Sequence, residues 1–181
     1  MTATTETIME TTQVYRVYIR TTPQAVWDAI TKPEWSERYG FDGRVEIDLR
    51  PGGVYRVPTT DAMHAAAARM GFEVPDVMVD GEVIEADPPR RLVQTWRMLM
   101  DADTAAEGFT RLTYEIGEVG GGVTKLTLIH ELEGAPKVAS LIAGEQEEMG
   151  AGGGWAWMLS DLKSLLETGA RMMSEEGSNE G

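Results

Sequence analysis

His130 is the residue whose type and setting most readily suggest chemistry. It lies in the stretch 124–132, where alternation puts Leu126, Leu128, His130 and Leu132 on one face and Lys125, Thr127, Ile129 and Glu131 on the other. An imidazole on the apolar face of a strand points into the molecule. There it can orient a polar ligand group or act as a general base, or it can be a core histidine bonded to a neighbour. Tyr114 shares the inward face of the preceding strand with Leu112 and Ile116, and its hydroxyl can reach a cavity or close a core. Gln94 and Trp96 share a face with Leu92 and Met98. A buried amide needs partners, so Gln94 is a candidate donor to a ligand carbonyl or carboxylate.

Other candidates are less specific. Trp35, Tyr39 and Phe41 surround a short helical stretch and are placed to close one end of a cavity. Glu82 and Glu85 fall on opposite faces of their strand, so alternation expects one of them inside, with a raised pKa, without saying which; Asp80 is ambiguous in the same way. His64, with Met63, Met70 and Phe72, lies on an Ala-rich insertion that reads either as a lid over a cavity mouth or as a surface elaboration. The chain has 2 His and no Cys, and lacks the metal-ligand spacings, nucleophile elbow and phosphate loop of several large enzyme classes. Neither cofactor nor metal is expected.

These residues are positioned by a regular order of elements. A long C-terminal helix over 151–167 carries Trp155, Met158, Leu159, Leu162, Leu165 and Leu166 at helical spacing, with Asp161, Lys163, Ser164 and Glu167 on the polar side. It would be about 25 Å long, with Gly169 as its left-handed stop. Upstream, 13–20 alternates as a strand. Thr22-Pro23 opens a helix as cap and first residue, and 33–39 forms a second, shorter one. Strands follow at 44–49, 54–57, 77–86, 92–99, 109–118 and 123–132, joined by turn sequences such as Arg50-Pro51-Gly52-Gly53, Asp87-Pro88-Pro89-Arg90 and Gly120-Gly121-Gly122. Residues 58–77 interrupt this series with a helix, 101–108 reads as a polar loop, and 133–150 as a mixed, partly helical segment. Consecutive hairpins imply an antiparallel sheet, and one apolar helix must cover its concave face: an α+β two-layer fold with a natural ligand gap between the layers.

Composition limits the partners. The 181 residues carry 30 Asp and Glu against 16 Lys and Arg, a formal net charge of -14, which argues against nucleic acid. No apolar run approaches the length of a membrane span, and the Thr-rich start lacks the features of a secretory signal, so a cytoplasmic setting is expected. Residues 1–12 read as a disordered tail and 169–181 as a polar one, around one domain over 13–168.

Several pieces together resemble the START-like, or SRPBCC, helix-grip superfamily, and within it the family related to the C-terminal domain of the activator of the heat-shock-protein-90 ATPase. They are Pro23-x-x-Val26-Trp27 with Thr31-Lys32-Pro33-Glu34-Trp35, Arg50-Pro51-Gly52-Gly53, and Gly81-Glu82-Val83. Further on come Asp87-Pro88-Pro89-Arg90-Arg91-Leu92 with Thr95-Trp96, Thr124-x-Leu126-x-Leu128-x-His130, and Gly154-Trp155-x-x-x-Leu159-x-x-Leu162. The resemblance spans roughly 13–168 and departs at 58–77, where a shorter link is usual. It implies a curved antiparallel sheet wrapped around the long helix, with a cavity between. The expected function is binding of a small, mainly hydrophobic molecule there, with His130, Tyr114, Gln94, Trp96, Trp155, Leu128 and Trp35 as candidate contacts. The alternatives are a cyclase- or dehydratase-type enzyme using His130 as acid and base, and a chaperone-associated interaction protein. The partners expected are the small hydrophobic molecule and either a second copy of the chain or a chaperone, which the acidic surface does not forbid.

Overall fold

The computed structural model describes residues 11–173. Seven antiparallel strands form one sheet in the order β1-β7-β6-β5-β4-β3-β2. In chain order they are β1 (Thr12–Ile19), β2 (Glu46–Ile47), β3 (Val54–Pro58), β4 (Val77–Asp87), β5 (Arg91–Met98), β6 (Thr110–Gly120) and β7 (Val123–Glu131). The helices are α1 (Pro23–Thr31), α2 (Pro33–Ser36), α3 (Asp61–Arg69), α4 (Ala102–Ala106), α5 (Pro136–Ile142) and α6 (Gly154–Thr168). This is the α+β helix-grip architecture, with α6 laid across the sheet.

Local chemistry explains the elements that sequence reads well. Thr22 caps α1 by accepting the Ala25 N–H, and Pro23 follows at the first helical position. Gly120, Gly121 and Gly122 all have positive φ and turn β6 into β7, where Leu112 faces His130 and Tyr114 faces Leu128 across the pair. Ile19, Leu92, Leu112, Leu126, Leu128 and Leu162 are fully buried between sheet and helix. Each contributes about 1.5–3 kcal/mol relative to exposure.

The structure corrects several expectations. Helix α6 starts at Gly154, three residues later than the apolar stripe suggests. Gly152 and Gly154 take positive φ, and a Cβ on Gly154 would come within 2.0 Å of the Ile142 carbonyl oxygen. The segment 151–153 is therefore a close-packed turn. The second short helix stops at Ser36, and of 44–49 only Glu46 and Ile47 pair as a strand. The 101–108 loop contains α4, because the Asp101 carboxylate accepts the N–H groups of Asp103 and Thr104 and nucleates a turn. The expected tails lie largely outside the described residues, but Arg171 and Met172 are tied to the body of the protein.

Candidate functional site

A cavity of about 1040 Å³ lies between the sheet and α6. Tyr55 and Val57 of β3, Met78 and Val79 of β4, Trp96 and Met98 of β5 and Tyr114 of β6 supply its sheet wall. Trp155 and Met158 form its helix wall, and Tyr39 and Phe41 close one end. Met63, Ala66 and Ala67 of α3, with Met70 and Phe72 just after it, cover another side. The insertion thus lies over the cavity. No residue of α3 is buried, and Met70 and Phe72 are 70% and 63% exposed. Its two ends are clipped together where Thr59 donates its N–H to the Asp76 carbonyl and its hydroxyl to Pro75.

His130 points inward and is fully buried, but it does not reach the cavity wall. Its Nδ1 accepts the Trp155 indole N–H at 3.1 Å. An indole nitrogen only donates, so the imidazole proton sits on Nε2. That N–H donates to Thr110 Oγ1 at 2.7 Å, and the Thr110 hydroxyl donates in turn to the Trp96 carbonyl at 2.8 Å. The Trp96 ring meets the imidazole edge-on with centroids 5.1 Å apart. Burial pushes the His130 pKa down to about 3. The ring is neutral, and both nitrogens are engaged.

The other candidates divide. Trp96, Tyr114 and Trp155 line the large cavity. Leu128, paired with Tyr114 across β6 and β7, lines only a small void of about 20 Å³. Trp35 is half-buried away from the cavity, with the Arg38 guanidinium stacked 4.6 Å over its ring. Glu82 and Glu85 are both exposed, against the expectation of one inside. A bulge at Ile84 breaks the alternation: Val83 pairs with inward Gln94, and Glu85 pairs with Val93 on the opposite face. Asp80 forms a two-pronged ion pair with Arg97 beside it on the sheet. His64 lies 3.7 Å from Asp76 and does not line the cavity.

Gln94 is wholly buried, and neither amide atom has a hydrogen-bond partner among the described residues. It stands between Leu92 and Trp96, facing the Tyr55 hydroxyl. The amide and the Trp96 indole sit close enough to lower the Tyr55 pKa, yet the amide geometry falls short of a hydrogen bond. Burial dominates and pushes Tyr55 up to about 12. Burial likewise raises Tyr114 well above its usual value, with Tyr55 and Tyr39 adding to the effect. The phenols therefore stay protonated.

Sequence reasoning missed Asp161. Helical spacing places it on the polar side of α6, but it is 1% exposed. Its carboxylate accepts the Gly40 and Met172 N–H groups, each at 2.8 Å, and pairs with the Arg171 guanidinium at 3.0 Å. Arg171 also binds Asp42 and the Gly40 carbonyl. One carboxylate thus fixes the loop that presents Tyr39 and Phe41 to the cavity.

Residues 20–167 match the family described as Activator of Hsp90 ATPase homolog 1-like protein, and the chain belongs to that family. No curated protein matches it. Among solved structures it is similar to CV1439 from Chromobacterium violaceum, with a TM-score of 0.61 and 19% identity over 88% of this chain and 99% of that one. PFC0360w, an HSP90 activator from Plasmodium falciparum, gives 0.51 and 20% over 67% of this chain and 73% of its own. DynU16, from the dynemicin biosynthetic locus, gives 0.60 and 20% over 90% of this chain, which spans 49% of DynU16. At these identities the likeness is one of fold.

Proposed function

We propose that this protein binds a small, mainly hydrophobic molecule between its sheet and α6. The observation that carries the reading is the cavity itself, about 1040 Å³ and walled chiefly by apolar and aromatic side chains. That exceeds the voids of an ordinary packed core and suits a drug-sized or larger ligand. The family membership and fold are compatible with it. The acid–base enzyme reading has less support, because His130 has no free nitrogen and no carboxylate joins it. A chaperone-linked role rests on the family description and on the likeness to the Plasmodium activator.

The test is native mass spectrometry of freshly purified protein, repeated after denaturation. A retained organic mass that is lost on denaturation is the expected result. A clean apo mass, together with no thermal shift against a panel of apolar compounds, would overturn the binding reading. Stimulation of an Hsp90 ATPase by the same preparation would favour the chaperone role instead.

A further inference from the structure

We infer that the cavity selects ligands bearing an uncharged oxygen, such as a ketone, phenol or alcohol, and rejects carboxylates, with Tyr55 and Tyr114 as contacts and Gln94 positioning Tyr55. The inference rests on the binding reading above and narrows it to a ligand chemistry.

Three observations converge. The first is the Gln94 amide, 0% exposed with both polar atoms unpartnered. Native proteins rarely leave such a group orphaned, because an unmet buried donor or acceptor costs the full desolvation of that group. Its neighbour is the phenol of Tyr55, a residue of the cavity wall. A small rotation of the Gln94 amide toward the Tyr55 hydroxyl completes a bond that holds the phenol oriented while its proton points to a bound oxygen. The second is that the Tyr55 and Tyr114 hydroxyls donate to no carbonyl or carboxylate among the described residues, Tyr55 having only the Gln94 amide and the Trp96 indole beside it, although both residues line the cavity. Tyr39, the third phenol of the cluster, is already engaged with the Ala29 carbonyl. Each hydroxyl proton is thus available to a bound oxygen, which suits a carbonyl or a hydroxyl equally.

The third observation is electrostatic. No Lys, Arg or His lines the cavity among the described residues, and its charged lining residues are Glu73 and Asp101. The nearest imidazole, His130, is neutral with both nitrogens occupied. A carboxylate entering this space would lose its water and meet no cation, inside a protein of net charge -14. A neutral oxygen loses far less on desolvation and recovers it at the phenols.

The experiment is displacement of the neutral dye Nile red by a matched set: naphthalene, 2-acetylnaphthalene, 2-naphthol and 2-naphthoate at neutral pH. The ketone and the naphthol are expected to bind at least tenfold more tightly than both naphthalene and the naphthoate. Tyr55→Phe and Gln94→Leu should each bring the ketone down to the naphthalene level while naphthalene itself stays within about threefold. A purely structural Gln94 would leave that ratio unmoved, so the ratio separates positioning from stability. Equal binding of naphthoate and ketone, or an unchanged ratio in both variants, overturns the inference but leaves the cavity reading standing. Failure of Nile red and of every naphthalene to bind overturns both.

Discussion

Trp155 on α6 donates its indole N–H to Nδ1 of His130 on β7, 3.1 Å away, and thereby decides which imidazole nitrogen carries the proton. This bond crosses from helix to sheet in a fully buried place. It continues through Thr110 to the Trp96 carbonyl, so four residues from α6, β7, β6 and β5 form one neutral chain.

His130 should therefore remain uncharged far below the usual imidazole range. Its folded pKa of about 3 lies below the ordinary 6.5. The unfolded chain thus binds more protons between these values, and stability falls as pH drops through that window. Above pH 6.5 the residue contributes no pH dependence. Below it the loss approaches about 1.4 kcal/mol per pH unit. Urea unfolding from pH 7 to 4 should show a shallower acid limb for His130→Gln than for the parent, and nitrogen NMR should show a protonated Nε2 and a bare Nδ1 at pH 5. An imidazolium signal at pH 5 would contradict the assignment.

Trp155→Phe keeps an aromatic ring but removes the donor. It leaves Nδ1 buried and unmet, at a cost of about 1–3 kcal/mol. Denaturant midpoints measure the loss. The nitrogen spectrum should also lose the strict Nε2–H form, because nothing then opposes the other tautomer.

Asp161→Ala should be among the most damaging single changes in α6. It strands the Gly40 and Met172 N–H groups and leaves Arg171 with only the exposed Asp42 as an ionic partner among the described residues. Breaking a buried pair from one side costs about 3–5 kcal/mol, and the lower end applies because Arg171 is partly exposed. Arg171→Ala should cost less than Asp161→Ala, and the double variant less than the sum of the two, as thermal denaturation of all three would reveal.

Removing the insertion should spare the fold. Thr59 already bonds to Pro75 and Asp76, and α3 buries no residue. Replacing 61–74 by two glycines should shift Tm by only a few degrees, while bound Nile red dissociates at least tenfold faster. In the intact chain, amide exchange in α3 should far outpace that in β6 and β7. Slow exchange throughout α3 would argue for a fixed wall.

Much of this organisation is written locally in the sequence. Thr22-Pro23 announces α1, the triple glycine announces the β6–β7 turn, and strict alternation places His130 and Tyr114 inside. What stays hidden depends on distant partners or on broken periods. Asp161 is buried because Arg171 and the Gly40 loop fold back on it, which no helical wheel contains. Glu82 and Glu85 escape alternation through one extra residue at Ile84. Trp35 turns toward Arg38 and not toward the cavity. The inward aim of His130 is legible from alternation, but its full occupancy needs Trp155 and Thr110, residues brought together only by the tertiary fold.

The sheet's strand order has a consequence for how such a chain can diversify. The hydrogen-bonded chain that fastens α6 runs through β5, β6 and β7, whereas much of the cavity wall comes from β3, α3 and β4 at the other flank. The two overlap at Trp96 and Trp155, which belong to the fastening and also line the cavity, but β3, α3 and the start of β4 line it without taking part in that chain. Substitutions at the exposed or half-buried lining positions of 54–79, such as Val57, Met63 and Met70, can therefore change the shape of the cavity while leaving the Trp155–His130–Thr110–Trp96 chain untouched.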